Sequence, residues 1–274
     1  MIDIDLIKKA LAEDLAGGVD ITSVATIPET SISIADFVAR KSGVLAGITM
    51  AKAVLQEVGL TDITVIKNDG DVIAAGEVLL TVKGDSRSIL LAERTALNFL
   101  GHLSGIASET AKWVSAISHT KCLVRDTRKT TPGYRQLEKY AVRMGGGTNH
   151  RMSLSDAALI KDNHIVAAGG ATRAFSAVRS AFPGSPIEIE VDTLDQLREI
   201  LLLKPDLILL DNMSPALCFD AVSIINGETK SEASGGITLE NARAYAESGV
   251  DYIAIGALTH SAPVLDIGLD LRME

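Results

Sequence analysis

From Lys121 onward the sequence alternates short apolar runs with longer amphipathic stretches, and no other feature limits the fold so tightly. The runs CLVR, LIK, IEIEV, DLILL, KSEA and YIAI have strand length, and the segments between them have helical period. A strand–helix–strand rhythm puts the strands parallel, because only a crossover long enough for a helix returns the chain to the same sheet edge. Six such repeats predict a closed or partly open β/α barrel, with a doubly wound open sheet as the alternative, and no internal repeat decides between them. Two of the helices are marked by their caps. Thr193 and Gln196 form a capping box ahead of Leu194, Leu197 and Leu201, and Thr238 is expected to cap a helix containing Leu239, Ala242 and Ala246.

The first part of the chain has a different texture. Ile7, Leu11 and Leu15 share one helical face, and residues 32–82 read as short strands punctuated by Gly43, Gly47, Gly70, Gly76 and Gly84, a small α+β domain. The stretch NDGDVIAAGEVLLTV has the pattern of a biotin or lipoate carrier but lacks a lysine at a hairpin tip. Residues 89–108 read as a helix leading into the second domain.

Composition excludes several classes. With 274 residues, 47% of them hydrophobic, the chain can bury a core without outside support. Cys122 and Cys218 are the only cysteines, so there is neither a disulfide framework nor a zinc spacing. No export signal or membrane span is read, and a cytoplasmic setting is expected. The net charge of -9 argues against nucleic acid, yet the segment from Lys121 to His164 is +5, leaving -14 for the remainder. Such a segment is either a solvated basic face or an anion site.

Barrel active sites lie at the C-terminal ends of the strands, so the polar residues after each apolar run are the ones to inspect. In order they are Asp126, Thr127, Arg128 and Lys129; Lys161, Asp162, Asn163 and His164; Glu190 and Asp192; Asp211 and Asn212; Ser234, Gly235 and Gly236; and Gly256. Ser234-Gly235-Gly236 before a helix suits phosphate, since glycines let backbone N–H groups approach an oxyanion. Glu190 and Asp211 end successive strands and suit magnesium or sugar hydroxyls; ion pairing with the basic segment is the plainer reading. Arg128, Lys129, His150, Arg151 and Lys161 describe a cradle for several negative charges. Lys161 is read as lying within an apolar strand, where a lysine needs a charged partner or a chemical role.

The stretch RDTRKTTPGYRQLEKYAVRMGGGTNHRMSLSDAALIKDNHI resembles the signature of the quinolinate phosphoribosyltransferases. AEDLAGGVDITS, ERTALNFLGHLSGIAS, IEIEVD, LILLDNMSP, SEASGGITLENARAYAESGVDYIAIGALTHS and LDIGLDL extend the resemblance over essentially the whole chain. It implies an N-terminal α/β sandwich over 1–105, an open β/α barrel over 106–262, and a tail, 263–274, returning to the first domain. It further implies a homodimer with shared active sites and a magnesium-dependent reaction. In that reaction quinolinate and 5-phosphoribosyl 1-pyrophosphate give nicotinate mononucleotide, pyrophosphate and CO2. Carried over, Arg128, His150, Arg151 and Lys161 hold quinolinate, with Arg94 reaching in from the partner subunit. Lys129, Glu190, Asp211, Ser234, Gly235, Gly236 and Gly256 hold the phosphoribosyl substrate, with Glu190 and Asp211 at the magnesium. Lys129, Lys161, Glu190 and Asp211 stand closest to the chemistry.

Ser153, where glycine is common, and Ser231, where an apolar residue is expected, depart from the family pattern. A relative encoded with molybdenum transporters shares the TRK, PG, GGG and HR features, but Lys161 with Asp162-Asn163-His164 favours the quinolinate enzymes. A Schiff-base enzyme using Lys161 and a non-catalytic anion-binding module are the readings from other classes.

Overall fold

The computed structural model describes residues 3–273 and divides into two compact units. The first comprises the chain up to Ala111, Tyr140–Gly146 and the chain from Ser261; the second comprises Lys112–Lys139 and Gly147–His260.

The first unit begins with α1 (Ile4–Leu15) and α2 (Ile21–Thr26), each capped by the aspartate before it, Asp3 accepting from Leu6 N and Asp20 from Thr22 and Ser23 N. β1 (Ile32–Ala39) and β2 (Gly43–Val44) follow, then α3 (Ile48–Glu57), β3 (Asp62–Val65), β4 (Val72–Ile73) and β5 (Val78–Asp85). The 48–57 segment corrects the reading of 32–82 as strands alone. Gly47 at φ +95° turns the chain into α3, which buries Met50, Ala51, Val54 and Leu55. Its periodicity is masked in the sequence by the glycine punctuation on either side.

α4 (Ser86–Ile117) is longer than the stretch read as helical. The chain end, β12 (Ile267–Met273), lies antiparallel to β1, completing a four-stranded sheet of order β12-β1-β5-β3. Gly105 lets the preceding segment cross α4, because a Cβ there would stand 2.2 Å from the Pro263 carbonyl oxygen.

The second unit holds six parallel strands: β6 (Leu123–Arg125), β7 (Ala158–Ile160), β8 (Ile187–Val191), β9 (Leu207–Asp211), β10 (Lys230–Ser234) and β11 (Tyr252–Ala254). Their order, β6-β11-β10-β9-β8-β7, settles the open question. A doubly wound sheet reverses direction at a switch point. Here β7 to β11 run in chain order and β6 then pairs with β11, the order of a barrel opened between its first and second strands. At that opening Thr148 makes an isolated parallel bridge to Arg125.

Between the strands run α5 (Arg135–Met144), whose residues 140–144 belong to the first unit, α6 (Asp162–Ala168), α7 (Ala171–Ala181), α8 (Leu194–Leu201), α9 (Pro215–Ile225), α10 (Ala242–Glu247) and α11 (Ala257–His260). Leu197, Ile200, Ala221, Ala242 and Ala246 are buried, as are Ile187, Ile189, Ile208, Leu210 and Ile253 of the strands. The Thr193 and Gln196 capping box is formed as read. The Thr238 cap is not. The Asn241 side chain accepts from Thr238 N at 2.8 Å, closing a turn, and α10 starts only at Ala242. Among the described residues no helix is long and apolar enough to cross a membrane.

Candidate active site

At the C-terminal ends of the parallel strands lies a cavity of about 700 Å³ lined by Arg128, Lys129, His150, Arg151, Lys161, Asp211, Ser234, Gly235, Gly236 and Gly256. Of the residues read from the sequence, Glu190 joins them through its ion pair with Lys161. Arg94 lies in the other unit, exposed on α4.

The cationic side of this cavity is hung on a buried ion pair between Asp126, one of the strand-end residues read from the sequence, and Lys139, which the sequence did not single out. Lys139 on α5 and Asp126 just past β6 are both fully buried, 2.5 Å apart. Lys139 Nζ also donates to the carbonyl oxygens of His150 (2.8 Å) and Arg151 (3.1 Å), while Asp126 accepts from His150 N (2.9 Å) and Asn149 Nδ2 (2.5 Å). Burial pushes the Asp126 carboxyl up and the Lys139 ammonium down, each partly offset by the other. The 149–151 segment is thereby held from both sides.

Arg128 and Arg151 have no acidic partner among the described residues, and the Nε of each is buried without a hydrogen-bond partner. Burial and the nearby Arg128 charge lower the Arg151 pKa. Guanidinium groups are rarely left so unless an anion completes them. Lys129 is exposed, its main chain held by Thr259 Oγ1 donating to its carbonyl oxygen at 2.8 Å. Lys161 corrects the sequence reading: β7 ends one residue earlier and its side chain is 45% exposed, paired with the buried Glu190. His164 is a local cap, its Nδ1 accepting from Lys161 N at 3.0 Å.

Both ring nitrogens of His150 are engaged. Nδ1 accepts from Arg151 N at 2.8 Å, and Nε2 donates to Glu188 at 2.8 Å. The first bond requires a bare Nδ1, so in this geometry the ring is the neutral Nε2–H tautomer. Burial opposes its protonation, but the Glu188 hydrogen bond and the Glu232 charge outweigh burial and raise its pKa. Protonation would break the bond from Arg151 N.

Beside Lys161, which pairs with Glu190, the side chains of Glu190, Asp192 and Asp211 bring carboxylate oxygens within 4.8 Å of one another. Burial, then the Glu190 charge, raise the Asp211 pKa. Three hard oxygen donors beside a cavity suit magnesium, which takes one or two protein carboxylates and fills its other positions with water and phosphate oxygens. Gly235 (φ +89°) and Gly236 (φ +63°) turn the chain after β10, and a Cβ on Gly235 would meet Asn212 Oδ1 at 2.1 Å. The turn therefore presents bare backbone, although α10 is too short and too late to add a capped helix end.

Comparison with known proteins identifies the family. Residues 106–270 match the family model of the quinolinate phosphoribosyl transferase C-terminal domain, and residues 20–104 that of the N-terminal domain. The chain is 50% identical over 273 residues to a Mycobacterium leprae protein named nicotinate-nucleotide pyrophosphorylase [carboxylating], covering 97% of this chain and 96% of that one. A probable enzyme of the same name from Bacillus subtilis is 40% identical, covering 98% and 93%. The crystal structure of the nicotinate-nucleotide pyrophosphorylase from Ehrlichia chaffeensis superposes with a TM-score of 0.94 at 39% identity, covering 98% of each chain.

Proposed function

The chain belongs to the quinolinate phosphoribosyltransferase family, and from that premise we propose how its cavity divides between two substrates. The reaction transfers phosphoribosyl from 5-phosphoribosyl 1-pyrophosphate to quinolinate, with decarboxylation, giving nicotinate mononucleotide, pyrophosphate and CO2, a step of NAD synthesis. One observation carries the division. Arg128 and Arg151, which have no acidic partner among the described residues, line one cavity with Asp211 of the carboxylate cluster.

Arg128, Arg151 and Lys161 take the two quinolinate carboxylates, with His150 beside them and Arg94 supplied by the partner subunit of a homodimer. A dianion must settle next to a polyanion, and without dense positive charge their repulsion would oppose the ternary complex. Lys129 and the backbone of Ser234, Gly235, Gly236 and Gly256 hold the phosphates, and Glu190 and Asp211 hold the ribose hydroxyls or magnesium. Magnesium, when bound there, neutralises charge developing on departing pyrophosphate. Lys129 does the same from the protein side, and Lys161 orients Glu190 through their ion pair. The reading places the enzyme in the cytoplasm.

The test is direct. Purified protein with magnesium and 5-phosphoribosyl 1-pyrophosphate should form nicotinate mononucleotide from quinolinate and not from nicotinate. No product from either would move the reading to the molybdenum-associated relatives.

A further inference from the structure

Decarboxylation breaks the bond from ring carbon C2 to its carboxylate, releases CO2 and leaves the electron pair on C2, so a proton must be delivered there. Resting on the substrate reading above, we propose that Glu232 is the group that delivers it. Glu232 is on β10, fully buried, and belongs to the lining of the 700 Å³ cavity. Its Oε2 accepts from Arg125 Nη1 at 2.8 Å; its Oε1 is buried with no hydrogen-bond partner, 3.4 Å from His150 Nε2. A buried, bare carboxylate oxygen is costly, whereas the same oxygen carrying a proton is a donor ready for an acceptor.

The charges around it argue for that proton. Arg125 comes from β6, its guanidinium stacked 3.7 Å over the Tyr252 ring of β11; Glu188 comes from β8; and His150, from the 149–151 segment, is the neutral tautomer when Arg151 N donates to it. Glu188 also feels the Arg151 charge, while Glu232 has only the Arg125 guanidinium on its Oε2 and no hydrogen-bond partner on its Oε1. Burial above all, then the Glu188 charge, raise the Glu232 carboxyl to about 7, against His150 and Arg125.

Other carboxylates on the cavity are less suited. Glu190 is ion-paired with Lys161, and Asp211 accepts from Asn212 Nδ2 at 2.5 Å. In the step, the Glu232 O–H bond breaks, its proton bonds to the C2 electron pair, and the carboxylate left behind keeps the hydrogen bond from Arg125 Nη1 to its Oε2. Solvent can restore the proton from the other end of the sheet. A second cavity of about 290 Å³ lies by the strand starts Ile187 and Leu207, is lined by Arg125 and Glu188, and shares His150 and Arg151 with the first.

The experiment is a rapid-quench single turnover of the full chain with magnesium, 5-phosphoribosyl 1-pyrophosphate and quinolinate, measuring pyrophosphate and nicotinate mononucleotide separately. In Glu232→Gln, pyrophosphate release should stay within about threefold of wild type while nicotinate mononucleotide formation falls by roughly 10²–10⁴-fold, the range for a lost general acid. Wild-type formation of the mononucleotide should decline as pH rises through about 7, and the variant should lack that decline. A loss of both products together, or of neither, overturns the proposal. If Glu232→Gln does not fold, Glu188→Gln serves instead. Removing that negative charge should move the wild-type decline to lower pH, and an unmoved decline overturns the proposal. A folded wild type that yields neither product overturns the substrate reading itself, which a selective loss in the variant cannot do.

Discussion

Two groups of buried charge sit in the parallel-sheet unit, and they are finished differently. Around Asp126 and Lys139 the polar atoms are used up: Lys139 donates three hydrogen bonds, and both Asp126 oxygens accept. Around Arg125, His150, Glu188 and Glu232, three buried atoms have no hydrogen-bond partner: Arg125 Nε, Glu188 Oε1 and Glu232 Oε1. The closed group can only hold, since nothing is left on it to meet a ligand. The open group keeps donor and acceptor capacity against the wall of a cavity, at the cost of unsatisfied atoms that a purely structural cluster would have closed.

The largest expected effect tests the closed group. Lys139→Met removes the cation and leaves Asp126 charged and dry, a change that should destabilise by about 3–5 kcal/mol. Urea unfolding would measure it, and the double variant Lys139→Met with Asp126→Leu should recover much of the loss. A single-variant cost under about 1 kcal/mol would mean that the pair is not the scaffold of the 149–151 segment.

Next in size is Arg128→Ala. This guanidinium lacks an acidic partner within the described residues, so its removal should leave stability nearly unchanged while weakening use of quinolinate by about 1.5–3 kcal/mol in kcat/KM. Affinity for 5-phosphoribosyl 1-pyrophosphate should change much less. Equal losses for the two substrates would sink the division of the cavity.

The two groups also differ in how far the sequence reveals the rest of the site. Apolar runs at strand length mark all six parallel strands, and the polar residues that follow them mark most of the cavity, because barrel topology puts strand ends in one place. The charges inside the strands are another matter. In IEIEV the alternation looks like a strand with one wet face, yet all five residues are buried and the glutamates belong to the interior. Glu232 in KSEAS is hidden the same way. A buried charge and a surface charge are the same letter, and only the partners tell them apart. Lys139 has the same ambiguity: it shares an amphipathic helix with the exposed Arg143, and the two charges read alike. Lys161 errs in the opposite direction: the boundary of β7 falls one residue earlier than its apolar run suggests, which puts the side chain at the cavity rather than in the core.

The smallest effect separates the two groups most finely. Glu232→Gln preserves shape and removes a charge that the cluster does not fully match. The Glu232 carboxyl holds its proton more tightly in the folded chain, where burial raises it from 4.5 to about 7. Its contribution to stability is therefore complete below its unfolded pKa and is lost as pH rises through the folded one. His150, raised by Glu188 and Glu232, adds a slope of the same sign. Glutamine has no such proton to lose, so the thermal midpoint of the variant relative to wild type should climb between about pH 5 and about pH 8. Midpoints that run parallel over that range would mean that Glu232 is ionised throughout in the folded chain. The open group would then be closed by Arg125 alone, and its bare oxygen would have no proton to give.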